Sequence, residues 1–241
     1  MAIIKPYLHS EKGKKEQVAG MFDHIAPRYD FLNHFLSFGI DKMWRRKAIR
    51  LLKPYSPVHI LDVATGTGDL AIEALKSGAS QITGIDISAE MLAVGQKKIE
   101  ELALDDRITL KKGDSENLDF EDSSFDAVTV AFGVRNFEDL PKGLSEIHRV
   151  LKKGGVACIL EFSKPKKFPF KQLYHFYSFF ILPYVGRLVS SDHSAYHYLP
   201  ESVNGFPDGI EFLGFLKQAG FTKTNQYRQT FGVATIYIGI K

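Results

Sequence analysis

Apolar positions along the chain change their period twice. Over residues 1–57 they recur at helical spacing. Leu36, Ile40, Met43 and Trp44 share a face, Ile49 and Leu51 follow, and Pro54 and Pro57 close the segment. From residue 58 onward short apolar runs alternate with amphipathic ones. The pattern predicts strands at 58–64, 81–86, 107–111, 125–131 and 156–162. Helices are predicted at 70–76, ending near Gly78, from a Ser88 cap to about 102, and at 140–151, with Gly154-Gly155 as the turn ahead of the fifth strand. The last stretch differs: a helix over 209–219 precedes strands at 222–229 and 233–240, joined at Phe231-Gly232.

Strands and helices that alternate imply a doubly wound α/β fold, a parallel sheet with helices on both faces. A link as tight as Phe231-Gly232 allows only an antiparallel pair. A Rossmann-like parallel sheet with a C-terminal antiparallel hairpin is the class I S-adenosylmethionine-dependent methyltransferase arrangement, whereas a dehydrogenase domain completes two symmetrical halves. Hydrophobic residues at 44% and charged residues at 24% over 241 residues suit one large globular domain with an added lid. The formal net charge of +3 is too small for a nucleic-acid partner, although lysines gather at Lys5, Lys12, Lys14 and Lys15 and at Lys164, Lys166, Lys167 and Lys171. Cys158, the single cysteine, sits in an apolar run and reads as a buried structural thiol. The start of the chain lacks a signal-peptide core and no run reaches about 18 apolar residues, so a cytoplasmic protein is expected, or one resting on a membrane from that side. A homodimer stays open.

The strongest local signal is Leu61-Asp62-Val63-Ala64-Thr65-Gly66-Thr67-Gly68-Asp69, a strand entering a glycine-rich turn and then a helix. Gly66 and Gly68 permit a tight turn and a close ligand approach. Asp86 ends the next strand, where a carboxylate accepts bonds from two ribose hydroxyls. Asp114 follows the third strand, in reach of an adenine amino group, with the Ser115 backbone beside it. A dinucleotide is the alternative, since Gly66-x-Gly68-x-x-Ala71 with Asp86 also fits its loose fingerprint. Asp62, Asp69 and Asp114 place negative charge where a pyrophosphate is disfavoured and a sulfonium with its ammonium is welcome. The expected methyl donor is therefore S-adenosylmethionine. No His or Cys spacing suggests a metal.

Three stretches resemble the ubiquinone/menaquinone biosynthesis C-methyltransferase family. They are residues 21–46, from Met21-Phe22-Asp23-His24 to Trp44-Arg45-Arg46; the glycine-rich turn; and Ala131-Phe132-Gly133-Val134-Arg135-Asn136, continuing through Gly143, Glu146 and 149–155 to Leu160-Glu161-Phe162-Ser163-Lys164-Pro165. The resemblance implies Thr67, Asp86, Asp114 and Ser115 as cofactor-binding positions, and Ala131 stands where many relatives carry serine. It implies methylation of a quinol ring carbon, demethylmenaquinol ahead of a benzoquinol. The pattern along the chain divides it into an N-terminal helical segment, 1–57, packing on a methyltransferase domain, 58–241, with a helical lid at about 166–206.

A neutral aromatic carbon is a poor nucleophile, and ionising the neighbouring hydroxyl makes it enolate-like. Arg135 and Asn136, after the fourth strand, are the catalytic candidates. Arg135 would stabilise the phenolate, with a water taking the proton, because arginine itself stays protonated. Tyr29 and His24 rank second, and His148 reads as structural or solvated. Nineteen Phe and ten Tyr stand against one Trp. The aromatic segment 168–185, with Tyr196, Tyr198 and Phe206 beyond it, is expected to cover a polyprenyl tail and touch a membrane interface, its lysines near headgroups. A membrane adaptor without catalysis would need this segment alone.

Overall fold

The computed structural model describes residues 4–7, 10–181 and 193–241, apart from the side chains of 193–197. Residues 182–185 of the aromatic segment, and the Tyr196 side chain, therefore lie outside the described set. Seven strands form one sheet: β1 (His59–Val63), β2 (Gln81–Asp86), β3 (Ile108–Lys112), β4 (Phe125–Ala131), β5 (Leu151–Phe162), β6 (Lys223–Gln229) and β7 (Ala234–Ile240). Their order is β3-β2-β1-β4-β5-β7-β6. The β1–β5 pairings are parallel, and β7 runs antiparallel to both β5 and β6. Thr230–Gly232 turns the chain between the last two strands, as the tight link requires.

Both faces of the sheet are apolar because successive side chains alternate across it. Leu61, Val63, Val128, Val130 and Ile159 pack one face against α6 (Leu140–Val150) and α9 (Ile210–Gln218). Ile60, Ile82, Ala127, Cys158 and Leu160 pack the other against α3 (Ile40–Leu52), α4 (Asp69–Ala74) and Ile99 of α5 (Ala89–Glu101). Burial lifts the Cys158 thiol to about 12, which keeps it an inert core group.

The N-terminal segment holds α1 (Lys14–Ile25), α2 (Tyr29–Leu36) and α3. Val18, Met21 and Leu32 form a third apolar cluster with Tyr198 of α8 (His193–Gly205), above the C-terminal ends of the strands. α7 (Phe170–Phe176) buries none of its side chains. It is an exposed cover beside the sheet.

One element departs from expectation. β5 begins at Leu151, not Val156, and the helix before it stops at Val150. Leu151 already pairs with Phe125, and the register shifts before Ala127 meets Val156. Gly154, at φ +79°, absorbs that shift. The Gly-Gly pair thus kinks a strand instead of ending in a free turn.

Candidate active site

The sheet order reverses between β1 and β4, and ligands of open α/β sheets bind beyond the strand ends at such a point. The turn after β1 must fold back tightly there. Gly66 and Gly68 take φ of +57° and +80°, a region that favours glycine. After β4, Gly133 lies so close to that turn that a Cβ on it would stand 2.6 Å from the Ala64 Cβ. These two small positions leave a cleft of about 650 Å³.

Gly66, Asp86, Asp114, Ser115 and Asn136 line that cleft, with Ile87 and Met91 as apolar wall. Asp86 accepts the Gly66 N–H at 2.8 Å and the Ser88 N–H at 2.9 Å. A carboxylate offers about four acceptor directions, so these bonds leave it capacity to accept from a ribose diol as well. Burial holds the Asp86 carboxyl above its ordinary value, and backbone N–H groups oppose this. Asp114 accepts the Glu116 N–H at 2.9 Å and the Lys15 ammonium at 2.7 Å. Among the described residues, Lys15 is the only cation lining the cleft, beside Asp86, Asp114 and Glu116. This set of acceptor carboxylates thus fits an adenosine carrying positive charge.

Other candidates from the sequence are placed elsewhere around the turn. Thr67 directs its hydroxyl to Asp30 of α2 at 2.5 Å, and Gly68 caps α4. Asp62 lies beneath the turn and accepts the Thr65 and Thr129 hydroxyls, each at 2.6 Å. Asp69 needs correction as part of an acidic rim. It does not line the cleft; Lys98 holds it at 2.7 Å, and His34 and Arg45 stand at 3.6 and 3.7 Å. Its charge is spent inside the protein.

Asp62 gives a pH prediction. Burial raises its carboxyl from 3.8 to about 6, against the two threonine hydroxyls. The folded chain then binds more protons than the unfolded one between those values, so this group lowers stability as pH climbs from about 4 to 6. Asp62→Asn should remove that slope and raise the ligand-free Tm at pH 7.5. The gain has a ceiling of about 3 kcal/mol from the shift itself. Melting curves from pH 4 to 8 check this, and an unchanged slope would refute it.

A second cavity, of about 760 Å³, adjoins the first, and Phe22, Tyr29 and Phe132 border both. Arg135 lines this second cavity. Its guanidinium donates to Glu161 Oε1 at 2.9 Å and to the Phe132 carbonyl, and lies 5.4 Å from the Phe162 ring centre. Glu161 is fully buried at the end of β5, and that burial pushes its carboxyl up, against Arg135. Asn136 accepts the Tyr198 hydroxyl at 3.0 Å. A third, apolar cavity of about 1280 Å³ shares Leu36, Phe162 and Leu199 with the second. Phe38, Phe170 and Phe231 stand on its walls. His24 is exposed on α1, and His148 packs edge-on against Phe221 at 5.1 Å.

Sequence alone does not single out Glu161, Lys14 or Lys15 as site residues, and it places Tyr198 in the tail cover without the bond to Asn136. Glu161 carries a readable signal, an acid inside the apolar run Ile159-Leu160-Glu161-Phe162. Lys14 carries none. Burial lowers its ammonium to about 8, and it donates to the Arg135 and Phe137 carbonyls at 3.1 and 2.7 Å.

A family model described as the ubiE/COQ5 methyltransferase family matches residues 10–241. A demethylmenaquinone methyltransferase of Bacteroides fragilis is 50% identical over 239 residues, 99% of this chain and 97% of its own. The ubiquinone/menaquinone biosynthesis C-methyltransferase UbiE of Geotalea daltonii is 49% identical over 234 residues, 96% of this chain and 98% of its own. Among solved structures, a SAM-dependent methyltransferase from Thermotoga maritima superposes with a TM-score of 0.65 at 19% identity, covering 92% of this chain and 99% of that one. Matched along nearly its whole length by that model and by relatives sharing half its residues, the chain belongs to the ubiE/COQ5 methyltransferase family.

Proposed function

We propose that this protein moves a methyl group from S-adenosylmethionine to a ring carbon of a polyprenylated quinol, demethylmenaquinol above all. The observation that carries this is the meeting of an acid-lined cleft and an apolar, arginine-bearing cavity at Phe22, Tyr29 and Phe132. The Geotalea relative's double name keeps a benzoquinol substrate as the second reading.

Asp86 would take the ribose hydroxyls, Asp114 and the Ser115 backbone the adenine, and Gly66 and Gly68 leave room for the rest. Thr67 would steady the turn through Asp30. Asp62 keeps a carboxylate beneath the turn, which a cation in the cleft relieves. The bound sulfonium supplies an already activated methyl group, so the transfer calls for no metal. What the protein must provide is the nucleophile. Bringing a phenol from about 10 to about 7 takes roughly 4 kcal/mol. One hydrogen bond from a charged donor contributes about 1.5–3 kcal/mol, so Arg135 with one further donor such as Asn136 suffices. Glu161 and the Phe162 ring hold the guanidinium in place. Incubation with labelled S-adenosylmethionine and each demethyl-quinol under reducing conditions, with the product identified by mass, tests the reading. Label in neither quinol would end it.

The lid reading extends to a bilayer. No helix among the described residues is long and apolar enough to cross a membrane. Yet Phe38, Phe168, Phe180 and Phe231 are all more than 60% exposed, and Phe38 and Phe231 among them line the apolar cavity. Lys166, Lys167 and Lys171 are exposed beside them. Such a face suits an anionic lipid surface from which a polyprenyl tail enters, each buried CH₂ contributing about 0.8 kcal/mol. Phe38→Glu with Phe180→Glu is expected to cut flotation with phosphatidylglycerol vesicles at least about fivefold. Equal flotation of variant and wild type would remove the membrane from the account.

A further inference from the structure

Arg45 belongs to one of the stretches that carry the family resemblance, yet the chemistry above leaves it unused. Its side chain is 8% exposed and ion-paired through one terminal nitrogen with Asp41, four residues earlier on α3. Asp41 also accepts the Ser37 hydroxyl at 2.6 Å and lies 2.9 Å from His34 Nδ1. The charge of Arg45 is therefore compensated at its tip. Its Nε is not: that atom is buried without a hydrogen-bond partner. Among the described residues, the other buried side-chain nitrogen in this state is Nε of Arg135.

Both arginines line the same cavity, the one that adjoins the cofactor cleft. Arg45 lies 5.7 Å from the centre of the Phe132 ring, and Arg135 5.4 Å from that of Phe162. The two rings are themselves 4.5 Å apart. Each guanidinium thus sits over one of two neighbouring rings, and each holds back a donor. Buried donors are nearly always satisfied. A pair left unpaired on two side chains that line one cavity fits a flat ligand with two acceptor oxygens.

We propose that Arg45 is a specificity-determining residue. Its Nε donates to the ring oxygen para to the one that Arg135 holds, so the cavity reads a 1,4-dioxygenated ring. This rests on the quinol reading above and deepens it. The methylated carbon is ortho to the first oxygen and meta to the second. Only the first, once ionised, pushes electron density onto that carbon. The bond from Arg45 therefore orients and does not activate. A ring pinned at one oxygen swings about it; a ring pinned at both keeps its reacting carbon in line with the methyl group.

The test compares a short-tailed prenylnaphthalene-1,4-diol with the matching 1-naphthol that lacks the para oxygen, both kept reduced. Wild-type kcat/KM is expected to favour the diol by about 10–100-fold, the span that one hydrogen bond to a charged donor commands. Arg45→Lys keeps a cation for Asp41 but has no Nε, and should bring that preference to within about threefold. A purely structural role would depress both substrates together and leave their ratio intact, which overturns the proposal. So would a wild-type enzyme indifferent to the para oxygen, a measurement that needs no variant. Wild-type protein that binds S-adenosylhomocysteine yet methylates neither compound fails at the substrate reading, and the role of Arg45 falls with it.

Discussion

Replacing Arg135 by alanine is expected to lower kcat about 100–1,000-fold while affinity for S-adenosylhomocysteine stays within about threefold. The asymmetry follows from position. Arg135 lines the second cavity and not the cofactor cleft. Losing one charge-assisted bond to a phenolate accounts for about 10–100-fold, and loss of ring alignment supplies the rest. The variant also strands Glu161, which is fully buried and whose Oε1 meets the guanidinium at 2.9 Å. Breaking such a pair from one side costs about 3–5 kcal/mol of stability, so the change must be read beside a gentler one. Arg135→Lys keeps a cation near Glu161 but loses the planar fork, and about 10–30-fold in kcat is expected. The pH–rate profile separates chemistry from folding. Without the guanidinium the substrate hydroxyl ionises nearer its own pKa of about 10, so the alanine variant should regain rate as pH rises toward 9. An unchanged kcat, or a loss that is flat across pH, would remove Arg135 from the chemistry.

How much of this is legible in the sequence depends on the range of the interaction. The strand-turn-helix around Gly66 is local, so its glycines, Asp86 and the strand ends can be read from neighbouring residues; β1 is expected at 58–64 and spans His59–Val63. The lower half of β5 escapes the pattern because Lys152-Lys153-Gly154-Gly155 is polar and glycine-rich, while the ladder that makes it a strand is supplied by Phe125 on another element. Asp69 shows the same limit at the site. Sequence places an acid at the start of a helix, but not the Lys98 ammonium from α5 that neutralises it. Lys15 reaches Asp114 across 99 positions, and Tyr198 reaches Asn136 across 62. No periodicity encodes such pairings. They exist because α1, α2 and α8 pack over the strand ends through Val18, Met21, Leu32 and Tyr198, a cluster without a common spacing.

Asp86→Ala should weaken S-adenosylhomocysteine binding by about 100-fold or more in calorimetry. Two hydrogen bonds from a ribose diol to one carboxylate, at about 1.5–3 kcal/mol each, set the scale. The carboxylate has a second duty, since it also accepts the Gly66 and Ser88 N–H groups. Alanine therefore loosens the turn as well, and the ligand-free Tm should fall by several degrees, as expected when a buried donor loses its acceptor. Asp86→Asn divides the two duties. Its amide oxygen still accepts one backbone N–H, but its NH₂ faces donors where the carboxylate offered acceptors, so about 10–100-fold in affinity is expected with a smaller loss of Tm. Asp114→Ala gives the scale for a single bond, because Lys15 and the Glu116 N–H already occupy part of that carboxylate, and about tenfold is expected there. A ribose clamp at Asp86 demands that affinity fall furthest in Asp86→Ala, less in Asp86→Asn and least in Asp114→Ala. A variant at Asp86 that melts early yet binds the ligand as tightly as wild type would show a carboxylate that only builds the turn, and the adenosine would have to be held elsewhere.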